Sequence, residues 1–297
     1  LRIFHARCLM ALNQFSDAIP SAQAAVQIAP NDANAQIVLG ACLKRTGQID
    51  DAEAPLQKAL MLNPKAYAAL NDLADIFIAR GDTASAVDCL RESHTISPYN
   101  LDAMSGLCFY TAFDHRATAE DLFRINRDWG EHLNALAKPH VLPALAKPNA
   151  PPALAPHQSE KIRIAYIAND FFDHVTSWFM EPVLARHDRS RFHITCYSGT
   201  ENKDNVTEKL ATYVDTWRDF PEDDTEGSVQ ALAHQIRRDG IDIAVLTSFF
   251  RGRDRRIFAY RTAPIQVGYH NRVSSTGLDS VDYIITEAGS DPKGEVE

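Results

Sequence analysis

The polar turn over residues 168–174 carries the side chains best suited to chemistry. Its sequence, ANDFFDH, places the imidazole of His174 beside the carboxylates of Asp170 and Asp173. Because an imidazole titrates near neutral pH, His174 could take a proton from a hydroxyl nucleophile. In a polar turn the same ring could instead only hydrogen-bond the backbone, and the residues alone leave both roles open.

Two later segments also concentrate polar side chains. The segment RGRDRR, residues 251–256, holds four arginines that could bind a phosphate or an acidic partner, or could form the solvated start of a helix. The segment HNRVSSTG, residues 270–277, follows a predicted strand and contains hydroxyls and one glycine. It could contact a ligand or serve only as a connection.

The residues around the polar turn predict a strand before it and a helix after it. Residues 161–167 alternate and then become continuously apolar, which is typical of a buried strand. An apolar helix is predicted from Trp178 to about residue 186, with Thr176 or Ser177 as its N-cap and Glu181 in its first turn. In open α/β sheets, ligands bind outside the carboxyl ends of the strands, where this turn lies.

The rest of the chain after residue 161 continues the alternation of strands and helices, which predicts a parallel sheet of Rossmann type. Neither GxGxxG nor a P-loop lysine occurs, so a dinucleotide or ATP phosphate cradle is not indicated. Strands are predicted over 192–197, 214–218, 241–246, 265–269 and 281–286, and helices over 205–213, 226–238 and around 258–260.

Residues 1 to about 98 contain an internal repeat of 34 residues. A closing proline recurs in each copy, small residues recur at two further positions, and glycine or asparagine recurs between the two helical halves. This pattern is similar to the tetratricopeptide repeat, in which pairs of antiparallel helices stack into a solenoid. The phased positions are Pro30, Pro64 and Pro98; Ala18, Ala52 and Ala86; Ala25, Ala59 and Ser93; and Asn13, Gly47 and Gly81.

Composition predicts three regions: a solenoid with capping helices over 1–136, a linker over 137–160, and an α/β lobe over 161–297. Six of the fifteen prolines fall in the linker, which favours an extended, semi-rigid strap. Residue 1 is Leu within a helical pattern, and the last residues follow a strand-like segment. We therefore expect the sequence to be part of a longer protein.

The overall composition excludes several classes of protein. The net charge of -9 argues against nucleic acid or an anionic membrane as the main partner. No apolar run is long enough to span a bilayer, and the five cysteines show no CxxC spacing, so neither a membrane protein nor a zinc site is predicted. A cytoplasmic location is the default expectation.

The order of these motifs resembles the protein O-linked N-acetylglucosamine transferases, in particular their bacterial, SPINDLY-like relatives. The resemblance rests on the repeats, the proline-rich strap, KIRIAYIANDFFDHVTSWFMEPVLARHDRSRFHITCYS from residue 161, DNVTEKL from residue 204, IRRDGIDIAVL from residue 236, and FAYRTAPIQV from residue 258. It extends over nearly the whole chain.

The resemblance implies a GT-B glycosyltransferase, of which residues 161–297 would be most of the first Rossmann-like lobe. Such an enzyme transfers a sugar from a nucleotide sugar, most simply UDP-GlcNAc, to Ser or Thr of a protein, with inversion and without a metal or other cofactor. His174 matches the histidine to which the family assigns a base or positioning role, so it is the predicted catalytic residue. The predicted substrate-binding residues are Asp170, Thr176, Thr276 and Gly277.

The sequence departs from the family's pattern at three places. Ser248-Phe-Phe250 replaces a Gly-His/Tyr-Thr stretch, and residues 270–275 replace a loop rich in glycine and proline. Val38 and Asp72 stand where the family's repeats carry an asparagine ladder that grips the acceptor backbone. The alternative is therefore a non-catalytic scaffold, whose repeats bind peptides and whose lobe has degenerated; half of a two-lobed site is in any case expected to be inactive alone.

Overall fold

A computed structural model describes residues 1–98, 100–141, 161–200, 203–220, 225–247, 252–269 and 276–285, and in the sixth range it describes side chains from residue 255 onward. The chain divides into two compact units, Leu1–Asp121 and Leu122–Glu297. Among the described residues, no helix is both long enough and apolar enough to cross a bilayer.

The first unit is a stack of antiparallel helices in which each helix packs on the next. A short 3-10 turn, Thr111–Phe113, follows the last of them. Helices α3, α5 and α7 begin at residues 33, 67 and 101, and α2, α4 and α6 begin at 15, 49 and 83, so the repeat of 34 residues is confirmed. The helices are α1 Arg2–Ala11, α2 Phe15–Ile28, α3 Ala33–Arg45, α4 Ile49–Leu62, α5 Tyr67–Ala79, α6 Thr83–Ile96 and α7 Leu101–Tyr110.

The residues that recur in each repeat have the structural roles that their types predict. Asn13, Gly47 and Gly81 have φ of 58°, 80° and 78°, a left-handed conformation that reverses the chain between paired helices. Ala52 and Ala86 are fully buried at helix contacts, where a larger side chain would force the helices apart. The solenoid therefore follows from contacts that recur once per repeat.

The second unit contains helix α8, Ala119–Ala137, whose first three residues still belong to the first unit, and a six-stranded sheet. The strand order is β3-β2-β1-β4-β5-β6, and each neighbouring pair is parallel. This order confirms the Rossmann-type prediction, with the reversal of strand order between β1 and β4. The strands are β1 Ile162–Ala168, β2 Phe192–Ser198, β3 Thr216–Asp219, β4 Ile243–Leu246, β5 Ile265–Tyr269 and β6 Tyr283–Ile285.

Helices α9 to α12 cross over between the strands, and an apolar core cluster lies between the sheet and helices α9 and α10. Its most completely buried members include Phe171, Met180, Leu184, Ile194 and Leu210. Residues 137–160 were predicted to be a linker; of these, 142–160 lie outside the described residues. The helices are α9 Val175–Ala185, α10 Asn205–Thr212, α11 Glu226–Arg238 and α12 Gly252–Ala259.

Strands β3, β4 and β6 begin two residues later than the sequence predicted, and an aspartate precedes each of them. The carboxylates of Asp215, Asp242 and Asp282 accept the backbone N–H groups of Ile194, Arg163 and Gln266 at 2.7, 2.7 and 2.8 Å. At these positions a carboxylate satisfies the neighbouring strand's N–H group. The strand-like residues before each aspartate therefore lie outside the ladder.

Candidate functional site

The polar turn after β1 lies at the carboxyl edge of the sheet, beside the point where the strand order reverses. Phe171 anchors it: its ring is fully buried, with its centroid 5.6 Å from that of Trp217, and its carbonyl accepts the hydroxyl of Thr207 at 2.7 Å. Because Phe171 points into the core, the flanking Asp170, Asp173 and His174 remain wholly or partly accessible. The fold thus presents these three polar groups at the edge where ligands bind in such sheets.

His174, and not Thr176 or Ser177, is the N-cap of α9, which corrects the sequence prediction. Its Nδ1 accepts the backbone N–H of Thr176 at 3.2 Å and lies 3.1 Å from the hydroxyl of Thr176. The Ser177 hydroxyl instead donates to the carbonyl of Asp170 at 2.9 Å. Glu181 is not in the first turn of the helix that results; it forms an ion pair with Lys209 at 2.7 Å.

The cap determines which nitrogen of His174 carries a proton. A backbone N–H can only donate, so Nδ1 must be unprotonated to accept it, and the neutral ring then carries its proton on Nε2. Nε2 has no hydrogen-bond partner among the described residues. In this arrangement His174 offers an N–H donor to a ligand oxygen, while a base role would require Nδ1 to take the proton and release the helix cap.

Asp204 holds the same turn from the other side and was not singled out by sequence reasoning. Its carboxylate caps α10 by accepting the N–H of Thr207 at 2.9 Å, and it also accepts the N–H of Asp173 at 2.7 Å. These backbone hydrogen bonds, from Thr207 and then Asp173, lower the pKa of the Asp204 carboxyl. The capping-box pattern Asp-x-x-Thr was visible in the sequence and could have identified it.

Thr276 and Gly277 follow β5, which β4 separates from β1, and Gly277 packs against α8. Thr276 is 4% exposed, and its hydroxyl accepts the N–H of Leu278 at 3.2 Å. Gly277 has φ of +67°, and a Cβ added to it would lie 1.9 Å from the carbonyl oxygen of Asn126. The structure therefore places Thr276 and Gly277 in a covered segment, and Asp170 and His174 together in an open turn. Thr176, which is 3% exposed, is buried at the start of α9. Substrate binding stays a prediction for all of them.

Two of the arginines predicted to form either a phosphate site or a solvated helix start are buried. Arg255 and Arg256 are each 5% exposed. The Arg255 guanidinium donates to the side-chain oxygen of Asn126 at 2.8 Å, and that of Arg256 lies 3.3 Å from the carboxylate of Glu226. The solvated start is wrong for this pair, because both side chains bind elements that cover α12. The side chains of residues 251–254, and all of 248–250 and 270–275, lie outside the described residues.

The two positions where the family carries its asparagine ladder are occupied differently in the solenoid. Val38 is 3% exposed and belongs to a core cluster. Asp72 forms an ion pair with Lys44 at 2.6 Å, and Lys44 also binds Asp75. Burial raises the pKa of Asp72, which Lys44 opposes. No group of three or more His, Cys, Asp or Glu side chains suited to a metal ion occurs within the described part of the chain.

Comparisons with known proteins agree with this architecture. The profile of glycosyl transferase family 41 matches residues 142–296, and that of the tetratricopeptide repeat matches residues 9–73. The fold is similar to that of a mutant O-GlcNAc transferase from Thermobaculum terrenum, with a TM-score of 0.76 and 26% sequence identity. The match covers 95% of this chain and 52% of that chain.

Curated relatives share parts of the sequence. The chain is 35% identical over 135 residues to a UDP-N-acetylglucosamine–peptide N-acetylglucosaminyltransferase from Caenorhabditis elegans, a match that covers 45% of this chain and 12% of that protein. It is 30% identical over 178 residues to a probable enzyme of the same name, SPINDLY, from Arabidopsis thaliana, which covers 58% and 18% respectively. The chain thus spans less than a fifth of these two relatives.

Proposed function

The chain belongs to glycosyl transferase family 41, and from that premise we propose that the full-length protein is a protein O-glycosyltransferase. It transfers N-acetylglucosamine from UDP-GlcNAc to the hydroxyl of Ser or Thr in a protein, with inversion at the anomeric carbon. The hydroxyl oxygen attacks that carbon and gives up its proton, the bond to the diphosphate breaks, and UDP leaves, so that the products are the glycosylated protein, UDP and one proton. The names and the fold of the relatives support this reaction class.

The open turn after β1 is the observation that carries the proposal for this lobe. His174 stands at the reversal of strand order with Nε2 available, so it would donate a hydrogen bond that orients a substrate oxygen during transfer. We favour this positioning role over a base role because the cap of α9 occupies Nδ1. A second lobe, outside these residues, would supply most of the contacts to the donor nucleotide.

The solenoid would bind the acceptor protein. Its tetratricopeptide repeats form a continuous stack, which is the kind of scaffold that presents an extended surface to a polypeptide. Val38 and Asp72 stand where the family has the asparagines of its ladder. This protein would therefore bind the acceptor backbone through different side chains from those that the family uses. We expect the protein to act in the cytoplasm, without nucleic acid or membrane as partner, and to need no metal or cofactor besides the donor sugar.

The test is transfer by the full-length protein. It is incubated with UDP-GlcNAc and, in parallel, GDP-fucose in the presence of acceptor proteins, and mass spectrometry identifies modified residues. We expect one N-acetylhexosamine on Ser or Thr from UDP-GlcNAc only, with inverted configuration. Modification only in the presence of GDP-fucose would show that the protein transfers fucose and not N-acetylglucosamine. Peptide binding without any nucleotide-sugar binding would favour the scaffold alternative and overturn the proposal.

A further inference from the structure

An exposed apolar patch begins at the residue that follows His174. We define the Trp178 patch as Val175, Trp178 and Phe179, which are 38%, 65% and 46% exposed. Their spacing of three and four residues places them on one face of the first two turns of α9. Tryptophan and phenylalanine exposed together beside a candidate site are the kind of surface that marks recognition of a partner.

Carboxylates border this patch. The Oδ1 atom of Asp173 accepts the indole N–H of Trp178 at 3.2 Å, which holds the ring next to a negative charge. Asp170 lies in the same turn and is partly exposed, and Asp204 binds the backbone of Asp173. Within the described residues, no lysine, arginine or histidine forms an ion pair with Asp170 or Asp173. The patch therefore combines an aromatic face with two carboxylates that pair with no cation of the described residues.

That combination selects one kind of side chain. A lysine or arginine lies over an indole face through cation–π attraction and pairs with an adjacent carboxylate, and its aliphatic stem covers apolar surface. An anionic or purely apolar segment would leave the carboxylates unpaired or desolvated. The chemistry of the surface thus fits a cationic residue of a polypeptide.

We propose that the Trp178 patch docks a lysine or arginine of the acceptor polypeptide close to the hydroxyl that receives the sugar. This inference rests on the proposed function. His174 and Trp178 are four residues apart at the start of α9, a rise of about 6 Å at 1.5 Å per residue, and an extended chain advances about 3.3–3.6 Å per residue. The cationic residue therefore lies within about three residues of the acceptor Ser or Thr.

The experiment compares matched acceptor peptides with the full-length protein. Starting from one modified sequence, a single lysine is placed at each position within three residues of the acceptor and compared with glutamine there. The wild-type protein, Trp178→Ala, Asp173→Asn and the control Leu136→Ala are assayed; Leu136 is a 49% exposed apolar residue of α8, outside the turn and the solenoid. We expect kcat/KM for the best lysine peptide to exceed that for its glutamine partner by about fivefold or more in the wild type and in Leu136→Ala. This ratio should fall below about twofold in Trp178→Ala and decline in Asp173→Asn.

Three outcomes are distinguishable. A lysine preference that Trp178→Ala abolishes supports the inference. Transfer without lysine preference, or a preference that survives Trp178→Ala, overturns it and leaves the proposed function intact. If no peptide is modified at all, the proposed function fails; fluorescence anisotropy with the same labelled pairs then decides whether Trp178 discriminates lysine from glutamine in binding, and equal affinities would overturn the docking surface as well.

Discussion

Two segments follow parallel strands of the same sheet, yet they have opposite environments. The turn after β1 anchors itself through Phe171 and leaves Asp173 exposed and His174 partly so. The segment after β5 is covered: Thr276 is 4% exposed, and the carbonyl of Ser280 accepts a hydrogen bond at 2.8 Å from Arg261, a 3% exposed side chain that precedes β5. Polar residues at the carboxyl edge of a sheet can therefore contact a ligand only where the fold leaves them open, and where they are covered they stabilise the fold.

The largest expected change in stability concerns Asp282, which lies in the covered segment after β5. Its carboxylate lies 3.0 Å from the guanidinium of Arg261 and accepts the N–H of Gln266. Asp282→Ala would leave a buried guanidinium without its carboxylate, so we expect a loss of about 3–5 kcal/mol of unfolding free energy. Denaturant titration measures it, with the exposed Asp279→Ala as the matched control. Equal stability of the two variants would contradict the closed environment of this segment.

The next effect concerns the contact between α8 and the same segment. A Cβ added to Gly130 would lie 1.7 Å from the carbonyl oxygen of Gly277, so the backbones must separate. We expect Gly130→Ala to cost about 3 kcal/mol, at the upper end for overpacking. Gly227→Ala in α11 is the control, because its Cβ would meet nothing within 4 Å. If both variants unfold at the same denaturant concentration, the close approach of α8 to Gly277 is wrong.

These residues also show what the sequence could and could not predict. The solenoid was predictable because its contacts recur every 34 residues, so Gly47 and Gly81 reveal a turn by position alone. The strands and the turn of His174 were predictable from local apolar patterns. The hydrogen bond between Arg255 and Asn126 joins residues 129 positions apart, and no local sequence pattern predicts such a contact. The role of His174 as helix cap was missed because imidazole is an uncommon N-cap beside the usual Thr and Ser.

The smallest expected change in stability concerns Asp204, whose carboxylate accepts the backbone N–H of Asp173 in the open turn. Because backbone N–H groups lower the pKa of its carboxyl, the ionised form stabilises the fold above about pH 4, and this contribution is lost as the pH falls through the lowered pKa. Asp204→Asn keeps a good N-cap but not the charge. We expect its melting temperature to be slightly below that of the wild type at pH 7 and to converge with it in acid. A gap that stays constant with pH would contradict this assignment.

The open turn is assigned a chemical role through His174, and a pair of substitutions separates that role from the helix cap. Asparagine caps helices well, so His174→Asn keeps the start of α9 but removes the reach of Nε2, whereas His174→Ala removes both. We expect both variants of the full-length protein to lose at least about tenfold in kcat/KM for sugar transfer, about 1.4 kcal/mol. Only His174→Ala should also lose about 1 kcal/mol of stability.

The decisive measurement is therefore the rate of sugar transfer by His174→Asn with the melting temperature of the same sample. A rate at least tenfold below the wild type with an unchanged melting temperature is the result that we predict. Transfer at the parental rate would show that His174 serves the helix and not the reaction, and would contradict the assignment of the turn after β1 as the chemical site.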